Sequence, residues 1–174
     1  MNWEIAVAIA EIAGAIAVVV TLLYLTFQIR QNNNLASGAA QRELMTGFQE
    51  NLDRIRSAPK LFQHGLRDFE NLSNVDQLEF QMIFNHFVDH LEVVLRMAER
   101  GLETQDNVNI YGDICLAFVQ EPGGMKIWEK CRPLFFTLSR GYVEGRLADK
   151  STLPPRIGDS MAWWTPDMPA ENNT

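Results

Sequence analysis

The residues best spaced for chemistry are His86 and His90, four apart, with Asp89 on the same turn. On a helix, residues four apart stand one above the other, so two imidazoles at this spacing can reach one ion and the carboxylate can join them. The pattern stops there. The chain has no HExxH, no repeated ExxH of the di-iron bundle type and no cysteine beside the pair, the features that would make a metal site specific. The competing reading makes His86 and His90 boundary residues beside Phe87 and Leu91, hydrogen-bonded to carboxylates. We therefore expect no bound metal, with His86, Asp89 and His90 as the weak candidate ligands. Glu92, Glu99 and Glu103 are acids of a kind that work as general acids or bases, but acids on a helix face are ordinarily just solvated. Cys115 lies in the apolar run ICLAF and reads as buried. Cys131 lies between Lys130 and Arg132, whose charges would lower its pKa, yet it has no histidine to activate it. GxSxG, Walker A and GxGxxG sequences are absent. An enzyme is not expected, and neither is a cofactor.

A different kind of chemistry attaches to Glu11. It sits inside Ile5–Ile29, IAVAIAEIAGAIAVVVTLLYLTFQI, the most apolar stretch of the chain. An ionised carboxylate in hydrocarbon is costly, so it must be neutral, paired or facing water. Glu4 lies seven residues earlier and so on nearly the same face. In a ring of helices, Glu4 and Glu11 would point at a common axis, as carboxylates do in cation pores. The plainer reading has Glu11 hydrated near one interface.

The element that positions Glu11 is a transmembrane helix, residues 1–30. Ile5–Phe27 is 23 residues, which as a helix covers roughly 35 Å and crosses a hydrocarbon core of about 30 Å with some tilt. Trp3 and Tyr24 fall near its ends, where amphipathic rings favour the headgroups. No Lys or Arg precedes the run, and it is longer than a signal-peptide core of about 7–15 residues, so an uncleaved anchor is expected. Arg30 and Arg42 follow it. The positive-inside rule then places the N-terminus outside and the rest in the cytoplasm, with the protein in the inner membrane. Ala6, Ala10, Ala13, Gly14 and Ala17 share one side with Thr21. Small residues at this spacing let helix backbones approach closely in lipid, so this is the expected contact face of a homo-oligomer.

Residues 31–57 read as a juxtamembrane helix with Leu35, Leu44, Phe48, Leu52 and Ile55 at helical spacing. It either continues the span or bends at Asn32–Asn34 or Gly38. Residues 58–150 read as a helical bundle. Ser57-Ala58-Pro59 starts a helix. Asn74 with Gln77 suggests a capping box, opening a helix whose stripe is Leu78, Met82, Ile83, Phe87, Leu91, Val94, Leu95 and Ala98. Gly101 ends it. A further helix runs over 107–120, Pro122-Gly123-Gly124 reads as a turn, and a last helix over 125–148 is interrupted near Pro133. Residues 151–174 form an irregular tail with four of the seven prolines and the pair Trp163-Trp164, which wants a surface to bind. No strand pattern of useful length appears, so the fold expected is all-α.

Charge narrows the partners. The net charge of −7 is concentrated in 61–113, and no basic patch suited to a phosphate backbone exists, so nucleic acid is not expected. The two cysteines, without CxxC spacing, suit a reducing compartment.

The chain resembles a family of uncharacterised bacterial single-pass membrane proteins. They carry an AEIxGAxAVVVxLLYLxxQIRQN-like segment, matched by Ala10–Asn32, followed by His90-x-Glu92, Gly101-Leu102 and Pro122-Gly123-Gly124 with Trp128. The resemblance implies membrane anchoring and a helical domain. It also makes His90, Glu92 and Trp128 candidates for a shared structural or binding role. The expected function is a self-associating scaffold or accessory subunit of a larger membrane assembly. An oligomeric channel or sensor using Glu4 and Glu11 is the alternative, and a metal-dependent enzyme a weaker one.

Overall fold

A computed structural model describes residues 3–160, without the side chains at 4–6 and 160. The side chains of Glu4 and Ala6, and the pair Trp163-Trp164, therefore lie outside the described residues. The fold is all-α. Seven α-helices and three short 3-10 turns are present, with no strand among the described residues. The chain divides into two compact units, 1–41 and 42–174.

Helix α1 runs unbroken from Trp3 to Ser57, through both Asn32–Asn34 and Gly38. Its N-terminal part makes up the first unit. It is the one helix among the described residues that is long and apolar enough to cross a membrane, and none of its most apolar stretch is buried within the chain. Ile9, Ile12, Ile16, Leu22, Leu23 and Phe27 are all largely exposed.

The second unit packs the last turns of α1 with α2 (Pro59–Asp68), α3 (Asn74–Glu99), α4 (Gln105–Val119), α5 (Pro122–Cys131), α6 (Thr137–Ala148) and the single turn α7 (Ile157–Ser160). Pro59 and Pro122 both occupy the first helical turn, where a missing N–H costs nothing and the fixed φ suits a helix. Pro122-Gly123-Gly124 is thus the opening of α5 and not a turn. The expected 125–148 helix is broken by a 3-10 turn at Arg132–Leu134, because Pro133 cannot donate the amide a continuing helix needs.

The centre is α3. Its N-cap is Ser73, one residue before the expected Asn74. Ser73 Oγ accepts from the Asp76 amide at 3.2 Å and donates to the Asp76 carboxylate at 2.8 Å. The Gln77 side chain instead donates to the Leu72 carbonyl. The buried stripe matches the expected one at Ile83, Phe87, Leu91 and Val94 and departs from it in the first turns. Phe80, Ile83, Phe84, Phe87, Val88, Leu91 and Val94 face inward, while Leu78 and Met82 are 59% and 57% exposed. Apolar residues lie on both sides of this helix, and the larger aromatic area decides which side is buried. Phe62, Phe80, Phe87 and Phe118 form a tilted and edge-to-face ring cluster, with centroids 4.8–6.3 Å apart. At the far end Gly101, at φ 70°, ends the helix. The Leu102 amide returns to the Met97 carbonyl at 2.9 Å, closing it as Gly101 predicts.

Two helices begin with help from distant carboxylates. Glu92 of α3, buried, accepts from the Ser139 amide at 2.7 Å in the first turn of α6, whose N-cap Phe136 has no side-chain acceptor. Glu121, also buried, accepts from the Gly158 amide at the start of α7. Elsewhere, backbone meets backbone. A Cβ on Gly123 would overlap the Gly65 carbonyl, and one on Gly65 would overlap the Phe80 ring. The bare Gly123 lets α5 cross α2 this closely, and the bare Gly65 lets the Phe80 ring of α3 lie against α2.

Candidate functional site

In the first unit the polar side chains of the apolar stretch look after themselves. Thr21 donates to the Ala17 carbonyl and Thr26 to the Leu22 carbonyl, both at 2.8 Å, and Gln28 donates to the Tyr24 hydroxyl at 2.8 Å. Such back-bonding lets a hydroxyl sit in an apolar helix without an outside partner. Glu11 is different. It has no hydrogen-bond or ion-pair partner among the described residues. It shares a shallow groove on the helix with Trp3, Val7 and Ala10, which sets it beside the small-residue face through Ala10. Ala10, Ala13, Gly14 and Ala17 are exposed, and nothing stands within 4 Å of where a Cβ on Gly14 would be.

In the second unit, the expected chemical residues lie along the seam where the last turns of α1 meet α3. A cavity of about 150 Å³ there is lined by Glu50, Asn51 and Arg54 of α1 and by His86, Asp89 and His90 of α3. Its wall is set by Gly47. A Cβ at that position would stand 3.1 Å from His90 Nδ1, so the glycine makes room for the imidazole. A glycine inside a helix costs about 1 kcal/mol relative to alanine, and a close approach is the usual reason for one. Asn51, 4% exposed, donates to the His86 carbonyl at 3.4 Å.

His90 is enclosed by rings and not by ligands. Tyr111 of α4 meets it edge-on at 5.1 Å, and Phe48 lies 6.2 Å away. Its Nε2 is buried without a hydrogen-bond partner among the described residues. Burial holds its pKa below the ordinary histidine value, because a charged ring would be poorly solvated there. Asp89 is moved the other way. Partial desolvation raises its pKa, with Glu92 adding to the rise and His86 opposing it. Among the described residues no group of three or more His, Cys, Asp or Glu side chains is placed to hold a metal ion. His86, Asp89 and His90 share a cavity but do not converge on one point.

The other singled-out residues are built into the fold. Glu92 turns away from His90 to cap α6, and its second oxygen pairs with Arg96 at 2.8 Å. Trp128 is buried and stacks on Phe135 with centroids 5.1 Å apart. Cys115 is fully enclosed, and burial pushes its thiol up to about 12. The expectation for Cys131 is reversed. Its thiol pKa is raised, because burial outweighs the neighbouring Lys130. Sequence reading missed Gly47, Asn51 and Glu121. Only Gly47 carried a signal, as a glycine in mid-helix.

No protein-family model, no curated protein and no solved structure matches the chain at a level that would indicate kinship.

Proposed function

We propose that this is a single-pass protein of the bacterial inner membrane that self-associates through α1 and serves as a scaffold or accessory subunit of a membrane assembly. One observation carries the reading. In a stretch whose other described polar side chains are bonded within their own helix, the Glu11 carboxyl has no partner among the described residues. In hydrocarbon an unmet carboxyl costs several kcal/mol, so it favours company at its own depth. Parallel copies bring Glu11 to the same depth, where two carboxyl groups can share protons. The neighbouring small residues favour the close approach this needs. Arg30 and Arg42 after the span, with no Lys or Arg before it, favour a cytoplasmic bundle. The resemblance at Ala10–Asn32 is in keeping with an anchor.

The test is the mass of the full chain in mild detergent over a range of concentrations. We expect an oligomer that Gly14→Leu dissociates and Glu11→Ala weakens. A monomer at every concentration, with both substitutions silent, refutes self-association. Extraction of the chain from membranes by alkaline carbonate refutes the anchor independently.

A further inference from the structure

Where α3 ends and α4 begins, a cleft of about 380 Å³ opens between three helices. It is lined chiefly by Leu95, Ala98 and Glu99 of α3, Val108 of α4, and Leu138 and Tyr142 of α6. This lies within the range of about 300–1,000 Å³ usual for small-molecule sites.

The floor is apolar and fixed. Val108 is buried and belongs to a small core cluster with Leu44 and Val94, against which Leu95, Ala98 and Tyr142 pack. Tyr142 is pinned on two sides. Its hydroxyl accepts from Arg146 at 2.7 Å, and the same guanidinium donates to Asp113 at 2.7 Å. Its ring lies against Gly112, where a Cβ would overlap it. A molecule entering the cleft would not have to order its walls, so little conformational entropy is lost on binding.

Among the residues that line the cleft, the one charged group is the Glu99 carboxylate. Glu99 has no hydrogen-bond or ion-pair partner among the described residues. Residues 99–106 hold three acids and one base, Arg100. The nearest other cation on α3, Arg96, is already engaged by Glu92. Gln105, on the α4 side, spends one of its two amide N–H groups on Asn109 at 3.1 Å and keeps its carbonyl oxygen as an acceptor. An anion meets no cation among the lining residues, and an uncharged apolar molecule leaves Glu99 unused. A cation with a hydrocarbon body satisfies both parts.

We propose that the cleft binds a small amphiphilic amine. Its hydrocarbon body, of about six carbons for a cleft of this size, packs on Leu95, Val108, Leu138 and Tyr142. Its ammonium group meets Glu99 and the Gln105 carbonyl.

The test uses the full chain in nanodiscs of zwitterionic lipid, with Leu and Val methyl groups labelled for NMR. The probes are n-hexylammonium and its uncharged counterpart n-hexanol. The Val108 and Leu138 methyl signals should shift saturably with hexylammonium, and hexanol should bind about three- to fivefold more weakly, the effect of one solvent-facing ion pair. Glu99→Gln should weaken hexylammonium by the same factor and leave hexanol unchanged. Leu138→Trp fills the cleft and should abolish both. Ala98→Phe does the same from α3 if the tryptophan variant fails to fold, as judged by loss of protection at the Ser139 amide. Equal affinities for the two probes, indifference to Glu99→Gln, or shifts that never saturate would each overturn the proposal.

Discussion

The buried carboxylate of Glu92 accepts the Ser139 amide at 2.7 Å, so one side chain of α3 serves as the N-terminal cap of α6. The two residues are far apart in the chain. The contact fixes where α6 starts and joins the two helices by a charge-assisted bond at a positive helix end. Removing it leaves a buried amide unmet. Glu92→Ala should cost about 2 kcal/mol, measured as a lowered urea midpoint, with amides 137–140 losing exchange protection first. Glu92→Gln keeps an acceptor and should lose about half as much. If Glu92→Ala leaves the midpoint unchanged, the cap contributes nothing.

His90 predicts a pH dependence. Its folded pKa lies below the ordinary histidine value of 6.5, so the unfolded chain takes up a proton more readily. Stability from this group is complete above about pH 6.5 and is lost as pH falls toward the folded value. The bundle should therefore weaken between pH 7 and 5.5. His90→Phe keeps the ring among Phe48 and Tyr111 and removes the titrating nitrogen. It should flatten this slope and be at least as stable at pH 7. Asp89, with a raised pKa, acts with the opposite sign, but nearer the carboxylate range. An unchanged slope in His90→Phe refutes the assignment.

The glycines divide into two groups. Gly123→Ala drives a methyl into the Gly65 carbonyl, and Gly65→Ala drives one into Phe80. Each should cost about 3 kcal/mol or more, since neither the α2 backbone nor the fully buried Phe80 ring has room to move. Gly141 and Gly145 lie inside α6 with nothing within 4 Å of an added Cβ. Alanine at either should stabilise by about 0.5–1 kcal/mol through helix propensity. Thermal melts of the four single variants decide it, and equal effects across all four would contradict the close crossing.

Both cysteines should be inert in the folded chain. Cys115 has its thiol pushed up to about 12, and Cys131 is buried with a raised pKa. Reactivity follows the thiolate and its access. Iodoacetamide at pH 8 should therefore modify neither until denaturant is added. Labelling of Cys131 under native conditions would restore the electropositive environment suggested by Lys130 and Arg132.

Local signals in the sequence were legible where one element decides the outcome. The membrane-length helix follows from an uninterrupted apolar run, the end of α3 from Gly101, and the start of α2 from Pro59. The inward side of the first turns of α3 was not legible. Leu78 and Met82 compete with Phe80 and Phe84 for the inside, and only the neighbouring helices resolve that competition. The cap was displaced by one residue because Ser73-x-x-Asp76 and Asn74-x-x-Gln77 overlap in the same five positions. Glu92 looked like a solvated acid beside a histidine, since its partner amide belongs to another helix. His86, Asp89 and His90 line one cavity, and Gly47, Phe48 and Tyr111, which pack around His90, come from other stretches of the chain that no local spacing could bring to them.

The crossing of α2 and α5 bears on descent as well as stability. The Gly65 carbonyl occupies the space a side chain at 123 would need whatever residue stands at 65, and the Phe80 ring occupies the space a side chain at 65 would need, so each position is held to glycine on its own account. A lineage that gains a side chain at 123 must part α2 from α5, and one that gains a side chain at 65 must rebuild the core around Phe80. Paired glycines at these places, before Phe80 and before Trp128, are thus a heritable mark. They would tell a diverged cousin of this chain from an unrelated helical bundle after most other residues had changed.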